Sequence, residues 1–439
     1  MDAPTPRRQL GLFDAVMLVM GGIVGAGIFA NPSEVAHRVH TPFLILAVWT
    51  AGGLIALFGA FIWAELATRL PGAGGQYRYL REAYHPAVAF IYGWVLLLVT
   101  QTGGMAAVAV TFAAYFRSLT GVPWSTSALA STVLLLLSVI NCFGARVGSN
   151  VQSVLMLLKI AAISALVGFG FVYGHGASLS GPVLDQPVSL GLVGSLGAAM
   201  IPVAFAYGGW QTATFVSSEM RDPRRDLSRG LIIGVLGVVV LYLAVNLACL
   251  LVLGADGLDA TTTPATEVML RIAGARGAQA IALGITISTL GFLSQSILTA
   301  PRVYYAMARD GVFFARVGWL SPKSGAPIVA IALQGLAATV IACSGKYGEI
   351  LNFEVTVDFI LFGLTAAALF VLRKRGEGEG SAILRSPGHP YTTALFVLCC
   401  AAIVCSAIAS TPMHSALALA IMLAGLPVYW AWRRRDRIA

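Results

Sequence analysis

The chain has 439 residues, 58% of them hydrophobic and 11% charged, with a formal net charge of +9. Soluble globular chains carry about 25% charged residues, so this balance excludes an ordinary cytosolic enzyme, a disordered chain and, despite the basic excess, a nucleic-acid binder. A bilayer-crossing helix needs roughly 20 apolar residues, and the length accommodates about twelve of them with short connections and no separate soluble domain.

In chain order, apolar runs between breakers predict spans near 12–37, 43–68, 86–116, 126–144, 149–174, 192–218, 230–254, 277–307, 327–344, 350–372, 391–410 and 412–432. Only Ser410-Thr411-Pro412 separates the last two. The start is polar through Gln9 and shows no cleavable leader, so the first apolar run belongs to the mature protein. Of the 28 lysines and arginines, 22 fall on one alternating set of ends and connections. The other set holds Arg38, Arg117, Arg271, Arg276 and Lys346, and Lys159 lies inside a span. That asymmetry puts both termini in the cytoplasm and makes the span count even. It also explains the basic charge without a nucleic-acid partner.

The six cysteines all sit in apolar runs, as small buried side chains do, and the six histidines stand singly near span ends. No metal site and no cofactor is expected. At the inner end of span 2, Glu65 precedes Arg69 by four residues and reads as a structural pair. Glu219 with the Arg221–Arg225 run reads as an inner-loop charge lattice, and Arg78–Glu82 as a short interfacial helix.

Two spans carry their own interruptions. Span 1 contains Gly21, Gly22, Gly25 and Gly27 within seven residues, in the stretch through Ile23, Val24, Ala26 and Ile28. Glycine weakens a helix that must satisfy its own backbone in lipid. Span 6 contains Pro202 and then Phe205-Ala206-Tyr207-Gly208-Gly209-Trp210; the proline removes a donor and the glycine pair offers a place to unwind. Close helix packing of the small-xxx-small kind is the competing explanation for each alone. Spans 1 and 6 are, however, equivalent positions in two five-helix repeats, and matched interruptions point to a transporter site. Past the first break, amides at Ala26, Gly27 and Ile28 favour an anion. Freed carbonyls around Phe205, Ala206 and Tyr207 favour an ammonium group. One site with both suits a zwitterion such as an α-amino acid, with no ionised side chain required at the midplane.

The stretches Gly22–Phe29 (GIVGAGIF), Ala64–Tyr84 (AELATRLPGAGGQYRYLREAY), Phe205–Trp210 (FAYGGW), Glu219–Leu227 (EMRDPRRDL) and Ser288–Gly311 resemble the amino acid–polyamine–organocation transporters, and within them the L-type amino acid transporter branch and its bacterial relatives. The resemblance runs collinearly through essentially the whole chain. It implies an all-α membrane protein of 12 transmembrane helices with the LeuT-type five-plus-five inverted repeat and unwound helices 1 and 6. Repeat one would span about 12–174, repeat two about 192–372, and two extra helices about 391–432, all within a single transmembrane domain over 1–439. The implied activity is alternating-access transport of amino acids, with the segment Ile23–Ile28 holding the substrate carboxylate and the carbonyls of Phe205, Ala206 and Tyr207 holding the amine. Phe205 would be the aromatic gate that closes over the substrate. Such relatives include mammalian members tied to a glycoprotein subunit by a cysteine between spans 3 and 4. The corresponding loop, Arg117 to Ser127, has none, so no disulfide-linked heavy subunit is expected.

Lys159 lies ten residues past Ser149, or about 15 Å at the helical rise, which is near the middle of a core about 30 Å thick. In relatives a span 5 lysine there reaches the unwound part of span 1, where sodium sits in sodium-coupled proteins of this fold; the implication is sodium-independent transport. Relatives with a serine nearby in span 8 are matched here by Phe292, leaving Ser288, Thr289 or a backbone carbonyl as its partner. Asp358, where relatives often carry asparagine, is a candidate proton carrier, contact for a basic side chain or outer-gate element. Glu354, one turn earlier, reads as a hydrated carboxylate at the mouth. Gln101, Thr102, Gly104, Phe205 and Ser294 are expected to line the side-chain pocket.

The expectation is a carrier of neutral L-amino acids, working by exchange or proton-coupled uptake in a bacterial inner membrane. Its partners would be the amino acid and the lipid bilayer. A cationic amino acid or polyamine carrier is the rival within the class, a channel the rival outside it, and no nucleophile–base or phosphate-cradling motif supports an enzyme.

Overall fold

Leu12–Ile23 forms helix α1, opened by Asp14, whose Oδ2 accepts the Gly11 amide at 2.9 Å. The same carboxylate accepts from Ser149 Oγ at 2.8 Å and Arg146 at 3.0 Å, which ties the start of α1 to α8 (Ala145–Tyr173). In this computed structural model, residues 6–174, 182–184, 187–344, 347–381 and 383–435 are described, with side chains for all of these but 347–353, 381, 434 and 435.

The other helices are α2 (Gly27–Ala36), α3 (Pro42–Arg69), α4 (Gln76–Ala83), α5 (Pro86–Val95), α6 (Gln101–Thr120) and α7 (Thr126–Cys142). After α8 come α9 (Leu190–Tyr207), α10 (Ser228–Asp259), α11 (Pro264–Thr299) and α12 (Pro301–Arg309). The last are α13 (Ile328–Ser344), α14 (Tyr347–Lys374), α15 (Tyr391–Ser410) and α16 (Pro412–Arg435). A π-helical turn, Leu96–Thr100, runs α5 into α6, and a 3-10 segment, Trp210–Glu219, follows α9. Among the described residues nine helical segments are long and apolar enough to cross a membrane, ten if the bent α1–α2 pair counts as one. Two apolar helices, α7 and α13, are shorter at 17 residues. The protein is therefore an all-helical, multi-pass membrane protein.

Helix ends follow local chemistry. Thr41 caps α3 by accepting the Leu44 amide at 3.1 Å, with Pro42 at the first helical position, where its missing donor costs nothing. Ser125 and Ser189 cap α7 and α9 the same way. Outward faces are apolar, for example Leu135, Leu136 and Val139 of α7, as lipid contact requires. Inward faces use small residues: on α3, Gly52 receives Val203 and Tyr207, so α9 can approach closely.

Helix ends on one side of the bundle are tied by buried charges. Glu65, fully buried, accepts from Arg69 at 2.8 Å, from Arg373 at 2.6 Å and from the Ser386 amide at 2.7 Å. The i,i+4 pair expected from sequence is thus one arm of a three-way clamp joining α3, α14 and the approach to α15. Glu219 differs from expectation. Its partner is Arg302 of α12, at 2.8 Å and 2% exposed, and not the Arg221–Arg225 run. Burial selects the one arginine that can follow the carboxylate inside, while Arg221 and Arg225 remain exposed. The chain before α1 pairs with the backbone after the 3-10 segment, Gln9 and Leu10 donating to the Glu219 carbonyl at 2.8 and 3.0 Å. That bridge sets the two interrupted elements side by side.

Candidate functional site

The first interruption covers Val24 to Ala26. Val24 is extended (φ −76°, ψ 94°), and α2 leaves at 44° to α1. The second follows Tyr207: Gly208 is extended and Gly209 turns left-handed at φ 111°. The two meet backbone to backbone. A Cβ on Gly22 would stand 2.6 Å from the Gly209 carbonyl oxygen, and one on Gly209 would overlap the Gly22 carbonyl. Glycine at both positions is what lets the breaks touch.

Three consecutive carbonyls freed at the first break are each taken by a side chain from a different helix. Tyr242 of α10 donates its hydroxyl toward Ile23 O at 3.2 Å and, across the gap, toward Ala206 O at 3.3 Å. The buried Lys159 of α8 donates its ammonium to Val24 O. Ser288 of α11 donates to Gly25 O at 3.1 Å. Of the alternatives left open for Lys159, the partner is therefore a backbone carbonyl, with Ser288 on the next carbonyl and Thr289 bonded within α11 to Thr286 O. With the carbonyls so held, the Gly27 and Ile28 amides at the start of α2 have no intrahelical acceptor, as at any helix start.

Beside the breaks lies a cavity of about 230 Å³. Of the sequence-predicted residues, Ile23, Gly25, Ala26, Gly27, Gln101, Gly104, Phe205, Ala206 and Asp358 line it. Val24, Ile28, Thr102, Tyr207 and Ser294 do not. Val24 is spent on Lys159 through its carbonyl, and Ile28 packs into the core. Thr102 turns its hydroxyl back to Leu97 O, five residues earlier, at 2.5 Å in the π-helical turn. Tyr207 stacks edge-on against Trp49 and tilted on Tyr242, with centroids 5.8 and 5.1 Å away. Ser294 is fully buried outside the cavity. The carbonyls expected to hold an amine are partly engaged already. Phe205 O accepts from Gly208 N at 3.2 Å and Ala206 O from Tyr242, each keeping a second lone pair.

Sequence reasoning missed four contributors. Asn31 lines the cavity and donates to Pro202 O at 2.7 Å, joining α2 to α9. Gln295 donates to Thr212 Oγ1 at 2.6 Å, and Thr212 in turn donates to Gly209 O at 2.6 Å, so a polar relay supports the second break. Tyr242 bears the fourth role, with no local signal beyond its position in an apolar run. Glu354 corrects an expectation: it is no mouth residue. It lines the cavity with its Oε2 buried and unpaired, because its stretch of α14 packs against α6 at Gly104.

The profile of amino acid permeases matches residues 10–431. The chain belongs to that family. Among amino acid permeases it is similar to the serine/threonine exchanger SteT of Bacillus subtilis, 29% identical over 98% of both chains. It is also similar to the mouse large neutral amino acids transporter small subunit 2, 27% identical over 98% of this chain and 82% of the relative. The human b(0,+)-type amino acid transporter 1 is 27% identical over 84% of this chain and 76% of its own. The two breaks touch beside this cavity, which Gly25, Ala26 and Gly27 line from the first and Phe205, Ala206, Gly208 and Gly209 from the second.

Proposed function

We propose that the protein is a sodium-independent secondary transporter that carries neutral L-amino acids by exchange or proton-coupled uptake through alternating access. The single observation that carries this is the cavity beside the two touching breaks, where free amides of α2 suit a carboxylate and the carbonyls of Phe205 and Ala206 suit an amine. The substrate class draws support from relatives named as a serine/threonine exchanger and a large neutral amino acids transporter. The ammonium of Lys159 on Val24 O supports sodium independence, because a resident cation occupies the carbonyl that an ion would need.

In this reading the membrane domain is a five-plus-five inverted repeat, about 12–174 and 192–372, with two further helices over about 391–432 and twelve spans in all. The broken α1–α2 and the broken α9 hold matching places in the two halves. The lysine and arginine asymmetry supports cytoplasmic termini, in keeping with a bacterial inner membrane. Phe205, half-buried in the cavity wall, serves as the gate. The loop Arg117–Ser127 has no cysteine, which supports a carrier that works without a disulfide-linked subunit. Counterflow in proteoliposomes with a panel of labelled amino acids, in sodium and in choline, tests the reading. Trans-stimulated uptake equal in both salts is expected; conductance without counterflow would instead mark a channel.

A further inference from the structure

Two carboxylates face the cavity with no positive charge to meet them. Glu354 and Asp358 stand one helical turn apart on α14, and both line the cavity. No lysine, arginine or histidine lines it among the described residues, and Lys159 is turned onto Val24. The Glu354 carboxylate faces α6 where that helix has no side chain: a Cβ on Gly104 would lie 3.7 and 3.8 Å from its two oxygens. Its Oε2 is buried without a partner.

The surroundings repeat the signal independently of the acids. Gln295, 1% exposed, lines the same cavity with its Oε1 unpaired, as does Gln101. The Tyr92 hydroxyl on α5, 3% exposed, is also unpaired. Of the other elements around α14, α16 brings His414, next to the Ser415 that bonds Thr356 at 3.2 Å. The charges of α3 and α4 are engaged elsewhere, Glu65 with Arg69 and Arg373, Arg81 with Asp310 and Glu82, and Arg78 with Pro71 O, and Arg117 lies in the last turn of α6. Unpaired acceptors thus converge on a space that holds no donor of matching charge.

Two ionised carboxylates at this spacing repel, and holding them half-buried in a membrane cavity without a counter-charge is costly. We propose that Glu354 and Asp358 form the side-chain subsite, balanced in one of two ways. A neutral amino acid is carried with a proton held by the pair; a basic amino acid is carried with its ammonium or guanidinium group in the proton's place. This rests on the cavity being the amino acid site and names the substrate classes it takes. Proton and side-chain cation compete, so raising the pH shifts the carrier from neutral toward basic substrates.

The test is counterflow of labelled leucine and labelled lysine by the whole protein in proteoliposomes, from about pH 5.5 to about pH 8. The lysine-to-leucine ratio should rise with pH. In the double variant Glu354→Gln/Asp358→Asn that ratio should fall about tenfold or more, the size of losing one charge-assisted hydrogen bond, and lose its pH slope. Should the variant not fold, thermal shifts of the wild-type protein in detergent decide: lysine should stabilise more at the higher pH and leucine more at the lower. Shifts or ratios independent of pH overturn the proposal. Leucine carried and lysine neither carried nor bound at any pH overturns it too, while leaving amino acid transport standing. Counterflow of no amino acid overturns both.

Discussion

Gly22 and Gly209, from two different interrupted helices, touch through their backbones, and neither position has room for a methyl group. The contact aligns the end of α1 with the turn after α9, so that the dipoles of both breaks address one small volume. The first break is held by Lys159, Tyr242 and Ser288, which stand outside the cavity, and the second by Thr212 and Gln295, which line it.

Gly209→Ala should therefore abolish transport. Its φ of 111° disfavours any L side chain, and the added methyl overlaps the Gly22 carbonyl. The strain alone is about 1–3 kcal/mol, read as a lower melting temperature in detergent. Gly194→Ala, on α9 with open space around it, should leave stability unchanged or raise it by up to about 1 kcal/mol.

Tyr242→Phe keeps the ring against Trp49 and Tyr207 but removes the hydroxyl shared by Ile23 O and Ala206 O. Losing a donor to buried carbonyls costs about 1–3 kcal/mol. Counterflow should drop about tenfold and the melting temperature should fall, because both carbonyls lose their donor while the packing stays. A wild-type rate would show that the bridge across the gap is dispensable.

Lys159→Ala should cripple transport, since Val24 O loses its only side-chain donor and the first break its resident charge. Uptake by the wild-type protein should be the same in sodium and in choline. Strict sodium dependence would contradict the role assigned to the ammonium.

Gly27→Leu should eliminate amino acid binding. A Cβ there already stands 3.3 Å from Asn31 Nδ2 and 3.6 Å from Ala206, so a full side chain fills the space between the two breaks. Equilibrium binding of labelled substrates checks it, and retained affinity would move the carboxylate site elsewhere.

Glu65→Gln should destabilise by about 3–5 kcal/mol, the cost of stripping a buried ion pair of one partner. Arg69, 5% exposed, and Arg373 then lose the carboxylate that holds α3 to α14. Thermal unfolding in detergent measures it directly.

Much of the architecture is written in local pattern. Helical structure covers each apolar run, and α10 and α11 depart from helical geometry at Gly254 and Gly274, beside the predicted limits at 254 and 277. Both interruptions lie in the glycine stretches, whereas Pro202 stays inside α9, six residues before the second break. These features are local: they depend on which neighbours along the chain can keep a backbone bonded in lipid. Thr102, Tyr207 and Ser294 show where that legibility stops, for each lies at a suitable depth and each faces away from the cavity. Depth along a span follows from counting residues, whereas facing follows from what packs beside it.

The amino acid order alone thus determined the membrane class, the two breaks and the positions of the intramembrane charges. Only the tertiary structure decided who serves the broken backbone: Lys159 reaches Val24 across 135 positions, Tyr242 reaches Ile23 across 219 and Ser288 reaches Gly25 across 263. It likewise turned Glu354 from the mouth into the cavity wall. The physical reason is that a carbonyl freed in lipid must find a donor, but nothing nearby in sequence can offer one without closing the break, so the donor has to come from a distant helix.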